Sequence, residues 1–129
     1  MKKILPIILA ALLLIGCAAP AEEITYRQIN MDDAITMMEE ESGYIILDVR
    51  TPEEFTEKHI PGAINIPNET IRTAEIPELP DKDQLILVYC RSGNRSKQAS
   101  EKLATLGYTN IVEFGGINDW PGETISGQG

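Results

Sequence analysis

The chain reads as one α/β domain: a central, parallel, five-stranded sheet with helices on both faces. Three observations predict this. Short apolar runs rich in β-branched and aromatic residues, among them 44–49 and 85–89, have the length and content of buried strands. Between them lie segments whose apolar residues recur at helical spacing. Strands alternating with helices favour a parallel sheet covered on both sides. At 129 residues the chain can bury one such core.

In order, Ile24-Thr25-Tyr26-Arg27-Gln28-Ile29 alternates apolar and polar side chains and suits a first strand. Asn30 can cap the helix that follows. Met31, Ala34, Ile35 and Met38 then fall at i, i+3, i+4 and i+7, so the methionines read as core filler. Glu39-Glu40-Glu41 is the solvated end of that helix, and Gly43 stops it. Residues 44–50 form a second buried strand. Thr51, Pro52 and Glu54 then supply an N-cap, a proline at the first helical position and the glutamate of a capping box. This helix is short, because His59-Ile60-Pro61-Gly62 ends it. Residues 63–67 read as a third strand, and 68–80 as a surface connection around a short helix, with Pro77 and Pro80 as breaks. The fourth strand, Leu85-Ile86-Leu87-Val88-Tyr89, stops at Cys90. Ala99, Leu103 and Leu106 share one face of the next helix, and Gly107 stands at its C-cap. Residues 110–114 are the fifth strand. Gly115-Gly116-Ile117-Asn118-Asp119-Trp120 is a glycine turn and closing helix. The domain runs over 24–122, and 123–129 is a tail without core signal.

The formal net charge is −9, which argues against nucleic acid as a partner and against adhesion to anionic lipid by charge alone. Against this acidic background, local positive charge stands out in one loop, Cys90-Arg91-Ser92-Gly93-Asn94-Arg95-Ser96. Cys90 ends a strand and the loop feeds a helix, the place where open α/β sheets bind ligands. Free amides at the helix start, together with Arg91 and Arg95, should attract a small anion and lower the thiol's pKa. Gly93 gives the loop freedom to curl, and Asn94 tolerates unusual backbone angles. Asp48, Arg50 and Glu54 lie near the same end of the sheet and are expected to support it structurally, with Arg50–Glu54 the favoured ion pair. His59, the one histidine, is expected in a structural hydrogen bond rather than as a base. No cluster has metal-ligand spacing, and no cofactor is expected.

The Cys90–Ser96 loop resembles the active-site loop of single-domain rhodaneses. Two further stretches extend the resemblance. Leu47-Asp48-Val49-Arg50-Thr51-Pro52-Glu53-Glu54-Phe55, followed by His59-Ile60-Pro61-Gly62-Ala63-Ile64-Asn65-Ile66-Pro67, is similar to the family's first signature, and Gly115–Trp120 to its closing segment. The resemblance implies a sulfurtransferase. The Cys90 thiolate would take the outer sulfur of a donor such as thiosulfate, form a persulfide and pass the sulfur to cyanide or a thiol. Inward amides of the loop would hold the sulfur anion, with Arg91, Ser92, Gly93, Asn94, Arg95 and Ser96 as the binding set. Four residues separate Cys90 from Arg95, whereas the phosphatases that use a cysteine and an arginine have five, and Ser96 stands where their arginine would be. The shorter loop suits a sulfur atom better than a phosphate group. Two other readings share the fold: a non-catalytic docking module, which the presence of Cys90 disfavours, and a relay handing persulfide to a partner protein's thiol.

The first residues carry an address. Met1-Lys2-Lys3 is basic and 4–15 almost wholly apolar, too short to span a bilayer comfortably. Leu14-Ile15-Gly16-Cys17 resembles the bacterial lipobox, which implies a signal peptide over 1–16, a lipid on Cys17 and a tether over 17–23. The expected location is extracytoplasmic, on a bacterial membrane. With Cys17 capped, Cys90 would have no partner for an internal disulfide.

Overall fold

A computed structural model describes residues 25–73 and 75–128. The stretches expected to be a signal peptide (1–16) and a lipidated tether (17–23) lie outside them. Five parallel strands, β1 (Arg27–Gln28), β2 (Ile45–Asp48), β3 (Ile64–Asn65), β4 (Ile86–Cys90) and β5 (Ile111–Gly116), form one sheet in the order β1-β5-β4-β2-β3. Three α-helices, α1 (Met31–Glu40), α2 (Pro52–Glu57) and α3 (Asn94–Thr105), cover it, so the expected α/β architecture is the observed one. No helix among the described residues is long and apolar enough to cross a membrane.

Side-chain alternation along the strands divides the core in two. Leu47, Val49, Ile86, Val88, Cys90 and Ile111 face α3, where Ala99, Leu103 and Tyr108 meet them. Ile46, Leu87, Tyr89, Val112 and Phe114 face the other way, toward Ala34 of α1 and Phe55 of α2. The central strand β4 is buried along its whole length, as its unbroken apolar run requires. β1 is shorter than its alternating pattern suggests. It sits at an edge with β5 as its one neighbour, and both of its residues are exposed.

The helix ends follow from their residues. The Asn30 side chain accepts from the Asp33 amide at 2.8 Å. Thr51 and Glu54 make the reciprocal capping box on α2. At the end of α3 the Gly107 amide bonds the Ala104 carbonyl and the Tyr108 amide that of Leu103, both at 3.1 Å, with Gly107 at φ 101°. That is a Schellman closure, in a left-handed conformation that glycine adopts without strain.

The tail is tied down more than its composition suggests. Ile125 and His59 exchange backbone hydrogen bonds at 2.8 and 2.9 Å, and the Gly127 amide bonds the Thr56 carbonyl at 2.8 Å. His59 is fully buried, with its ring stacked on Phe55 at 3.7 Å. Its Nδ1 lies 2.8 Å from the Phe55 carbonyl oxygen, which can only accept, so that nitrogen holds the proton.

Candidate active site

β4 delivers Cys90 to the carboxyl edge of the sheet, and α3 begins four residues later. Between them the chain must turn sharply. Gly93 makes the turn at φ 112°, as the left-handed N-cap of α3. The turn points the Gly93 amide at the Cys90 sulfur, 3.0 Å away. The thiol in turn meets the Ser96 hydroxyl at 3.4 Å. Burial pushes this thiol's pKa up, but its contact with the Ser96 side chain and hydrogen bonds from the Ser96, Gly93 and Ser92 amides outweigh it. The net result lies below the ordinary value.

The loop is held from the β5 side. β4 and β5 pair Val88 with Glu113 but Cys90 with Gly116, so β5 carries one extra residue, a bulge beside the site. Gly116 lies directly against the loop: a Cβ built there would fall 2.0 Å from the Arg91 carbonyl oxygen and 2.6 Å from the Ser92 nitrogen. The Asn118 amide then bonds that same Arg91 carbonyl at 3.1 Å. The glycine pair of the closing segment therefore fixes where the cysteine loop starts.

The structure places the expected supporting residues close together but pairs them differently. Arg50 does not pair with Glu54. Its Nη2 donates to Asp48 Oδ2 at 2.7 Å and to the Lys58 carbonyl at 2.7 Å, while Nε bonds Asp48 Oδ1 at 3.0 Å. Both members are buried, with Asp48 at 0% exposed. Glu54 turns instead to Arg95, which donates from Nη1 and Nη2 at 2.8 and 3.1 Å. The reason is directional. Asp48 and Arg50 are two residues apart where β2 ends, whereas Glu54 is held at the start of α2 by its capping bond to the Thr51 amide. The bond from Arg95, opposed by burial and helped by Thr51, brings the Glu54 carboxyl down to about 2.

Arg95 thus reaches the loop with its charge already matched, as a residue that positions α3. Arg91, Ser92 and Asn94 are exposed around the sulfur. Arg91 borders a polar cleft of about 210 Å³, shared with Arg50, Glu54, Lys58 and Asn118. A groove of about 440 Å³ between Ile71 and Leu106, lined by Gln98, Glu101, Lys102 and Thr105 of α3, does not touch the loop. Cys90 itself is 1% exposed, deeper than a position at the edge of a sheet suggests. Among the described residues no group of acids, cysteines or histidines could hold a metal ion.

Glu113 has no role in the sequence reading, yet it belongs to the site. It is 2% exposed in the middle of β5, where its Oε2 accepts from the Ser96 hydroxyl at 2.5 Å and from the Gly115 amide at 3.0 Å. The available signal was a charged residue inside the apolar run Ile111-Val112-Glu113-Phe114, which leads into two glycines.

Residues 30–123 match the family described as Rhodanese-like domain. Thiosulfate sulfurtransferase PspE of Escherichia coli is 41% identical over 57% of this chain and 70% of its own length. Thiosulfate sulfurtransferase GlpE of Pseudomonas entomophila is 31% identical over 79% of this chain and 94% of its own. The chain spans 24% of a third relative, the adenylyltransferase and sulfurtransferase UBA4 of Candida albicans, at 36% identity. Among solved structures, a rhodanese from E. coli with anions superposes with a TM-score of 0.60 at 37% identity, covering 65% of this chain and 99% of that one. A rhodanese-related protein from Thermoplasma volcanium gives 0.64 at 34% identity, over 78% and 98%.

Proposed function

Because the chain belongs to the rhodanese-like family, whose relatives are named as sulfurtransferases, we propose that it moves sulfane sulfur from an anionic donor such as thiosulfate to a thiophilic acceptor, through a persulfide on Cys90. The observation that carries the reading is the Gly93 amide, 3.0 Å from the sulfur in a loop whose hydrogen bonds hold the thiol below its ordinary pKa. A thiolate is the nucleophile such chemistry needs, and the same donors serve the terminal sulfur anion of the persulfide. Attack on the outer sulfur of thiosulfate forms the Cys90 S–S bond, breaks the donor's S–S bond and releases sulfite. Arg91, the exposed cation of the loop, draws the donor in. Cyanide, a small thiol or a protein thiol then removes the sulfur and restores Cys90.

The proposal extends to location: a lipid on Cys17 tethers the domain to a bacterial membrane, on its extracytoplasmic side. Incorporation of a fatty-acid probe at Cys17, lost on Cys17→Ser, tests that part by itself. The chemistry is tested by incubating the reduced full chain with thiosulfate and weighing it. A gain of one sulfur atom, absent in Cys90→Ser and removed by cyanide, is the expected result. No gain on reduced Cys90 from thiosulfate or any organic thiosulfonate rejects the persulfide reading.

A further inference from the structure

Ser96 touches two groups that both want its attention. Its hydroxyl carries a single proton. The acceptors in reach are Glu113 Oε2 at 2.5 Å, the Gly115 carbonyl at 3.4 Å and the Cys90 sulfur at 3.4 Å, and the carboxylate is the nearest and is charged. With that proton given to Glu113, the Ser96 oxygen faces Cys90 as an acceptor, and the 3.4 Å contact is a thiol donating to a hydroxyl. The three groups make one chain, in which the thiol donates to the hydroxyl and the hydroxyl to the carboxylate.

Resting on the sulfurtransferase reading, we propose that Glu113 positions the Ser96 hydroxyl and takes up, through it, the proton that Cys90 sheds as its sulfur attacks the donor. The same two protons move one link each. The thiol proton passes to the Ser96 oxygen, and the Ser96 proton passes to Glu113 Oε2. Charge leaves the carboxylate and arrives on the sulfur, with no proton exchanged with water. The loading step then balances: thiol, carboxylate and thiosulfate give persulfide anion, carboxylic acid and sulfite. After the acceptor takes the outer sulfur, the return of both protons restores the thiol. The persulfide anion gains a hydroxyl donor that an ionised Glu113 would withhold, because Ser96 can point its proton at sulfur only when Glu113 supplies one of its own.

The surroundings suit this task. Glu113 is 2% exposed, and among the described residues no Lys, Arg or His nitrogen comes within 4.0 Å of its carboxylate. Its strand partners on the same face are Val88 of β4 and Gln28 of β1, neither of them titratable. From α3 it meets Ser96, and from the loop Gly93, whose Cβ position is 4.0 Å from Oε2. On α3, Arg95, one residue before Ser96, is occupied by Glu54, and Lys97, one residue after it, is exposed. Cys90 is the titratable group linked to Glu113 through hydrogen bonds. The β5 bulge and the Gly115 amide hold the carboxylate in this place.

The test is the pH profile of Cys90 alkylation by iodoacetamide, a neutral probe, alongside persulfide loading from thiosulfate, in wild type, Glu113→Gln and Ser96→Ala. Gln keeps the shape and an acceptor for the Gly115 amide but takes no proton. Both variants should react about tenfold or more slowly than wild type near pH 6 and converge with it near pH 9, where the thiol ionises to water unaided. Thermal melts identify any variant that fails to fold, and the other variant then carries the comparison. Profiles that coincide at every pH overturn the relay. So does faster alkylation of Glu113→Gln at acid pH, which would mean that the carboxylate merely repels the thiolate. If wild type alkylates as expected but never accepts sulfur, the sulfurtransferase reading fails and the relay to Cys90 stands as a property of the thiol.

Discussion

Replacing Glu54 by Gln separates charge from shape at the contact that ties α2 to α3. Gln keeps an oxygen for the Thr51 amide, which Glu54 Oε1 accepts at 2.9 Å, so the N-cap of α2 survives. The charge opposite Arg95 is lost. The Glu54 carboxyl sits at about 2 instead of its usual 4.5, a difference worth at most ~3.4 kcal/mol at ~1.36 kcal/mol per pKa step. Glu54 and Arg95 are 24% and 31% exposed, and water screens such a pair strongly, so the expected cost is about 1 kcal/mol. A carboxyl whose pKa is lowered on folding stabilises the native state above its unfolded value and loses that contribution as the pH falls through its folded value. Urea unfolding of wild type and Glu54→Gln should therefore differ by about 1 kcal/mol at neutral pH, with the gap steady down to about 4.5. Below that the gap should close, vanishing near pH 2. A gap that persists unchanged into acid would mean that packing, and not the ion pair, was lost. No gap at neutral pH would mean that Arg95 finds its support elsewhere.

Two further substitutions probe how the site is held. Arg50→Met leaves the fully buried Asp48 carboxylate without its cation and should lower the unfolding free energy by roughly 3–5 kcal/mol, measured in urea; a loss under 1 kcal/mol would show that Asp48 is otherwise satisfied. Gly116→Ala drives a methyl into the Arg91 carbonyl, 2.0 Å from its ideal position, and should cost roughly 1–3 kcal/mol while abolishing sulfur loading on Cys90. Loading at the wild-type rate in that variant would show that the start of the loop does not need its present placement.

Much of this arrangement was legible in the residues. The apolar run into Cys90 and the helical spacing of Ala99 and Leu103 placed the cysteine between a strand and a helix, and Thr51-Pro52-Glu53-Glu54 marked the start of α2. Local signals of this kind survive folding because their partners lie within a turn of one another. The partner of Arg50 was not legible. Asp48 and Glu54 are both acids within a few residues of it, and the choice depended on which direction the chain leaves β2. Glu113 escaped for a related reason. Its partner, Ser96, is 17 residues away, and their meeting depends on the β4–β5 register and its bulge. The depth of Cys90 was equally a matter of tertiary packing, because the backbone of β5 covers the loop from the side.

The backbone clasp between Ile125 and His59 reaches further than its two hydrogen bonds. It fastens residues 124–128 along α2, and α2 carries the glutamate that grips the first turn of α3. Trimming the polypeptide after Glu123 would unfasten α2 on its outer side and pass the slack, through Glu54 and Arg95, to the helix that frames the thiol. A fusion joined at this end pulls on the same lever, so an inert-looking appendage can detune the reactivity of a sulfur it never meets.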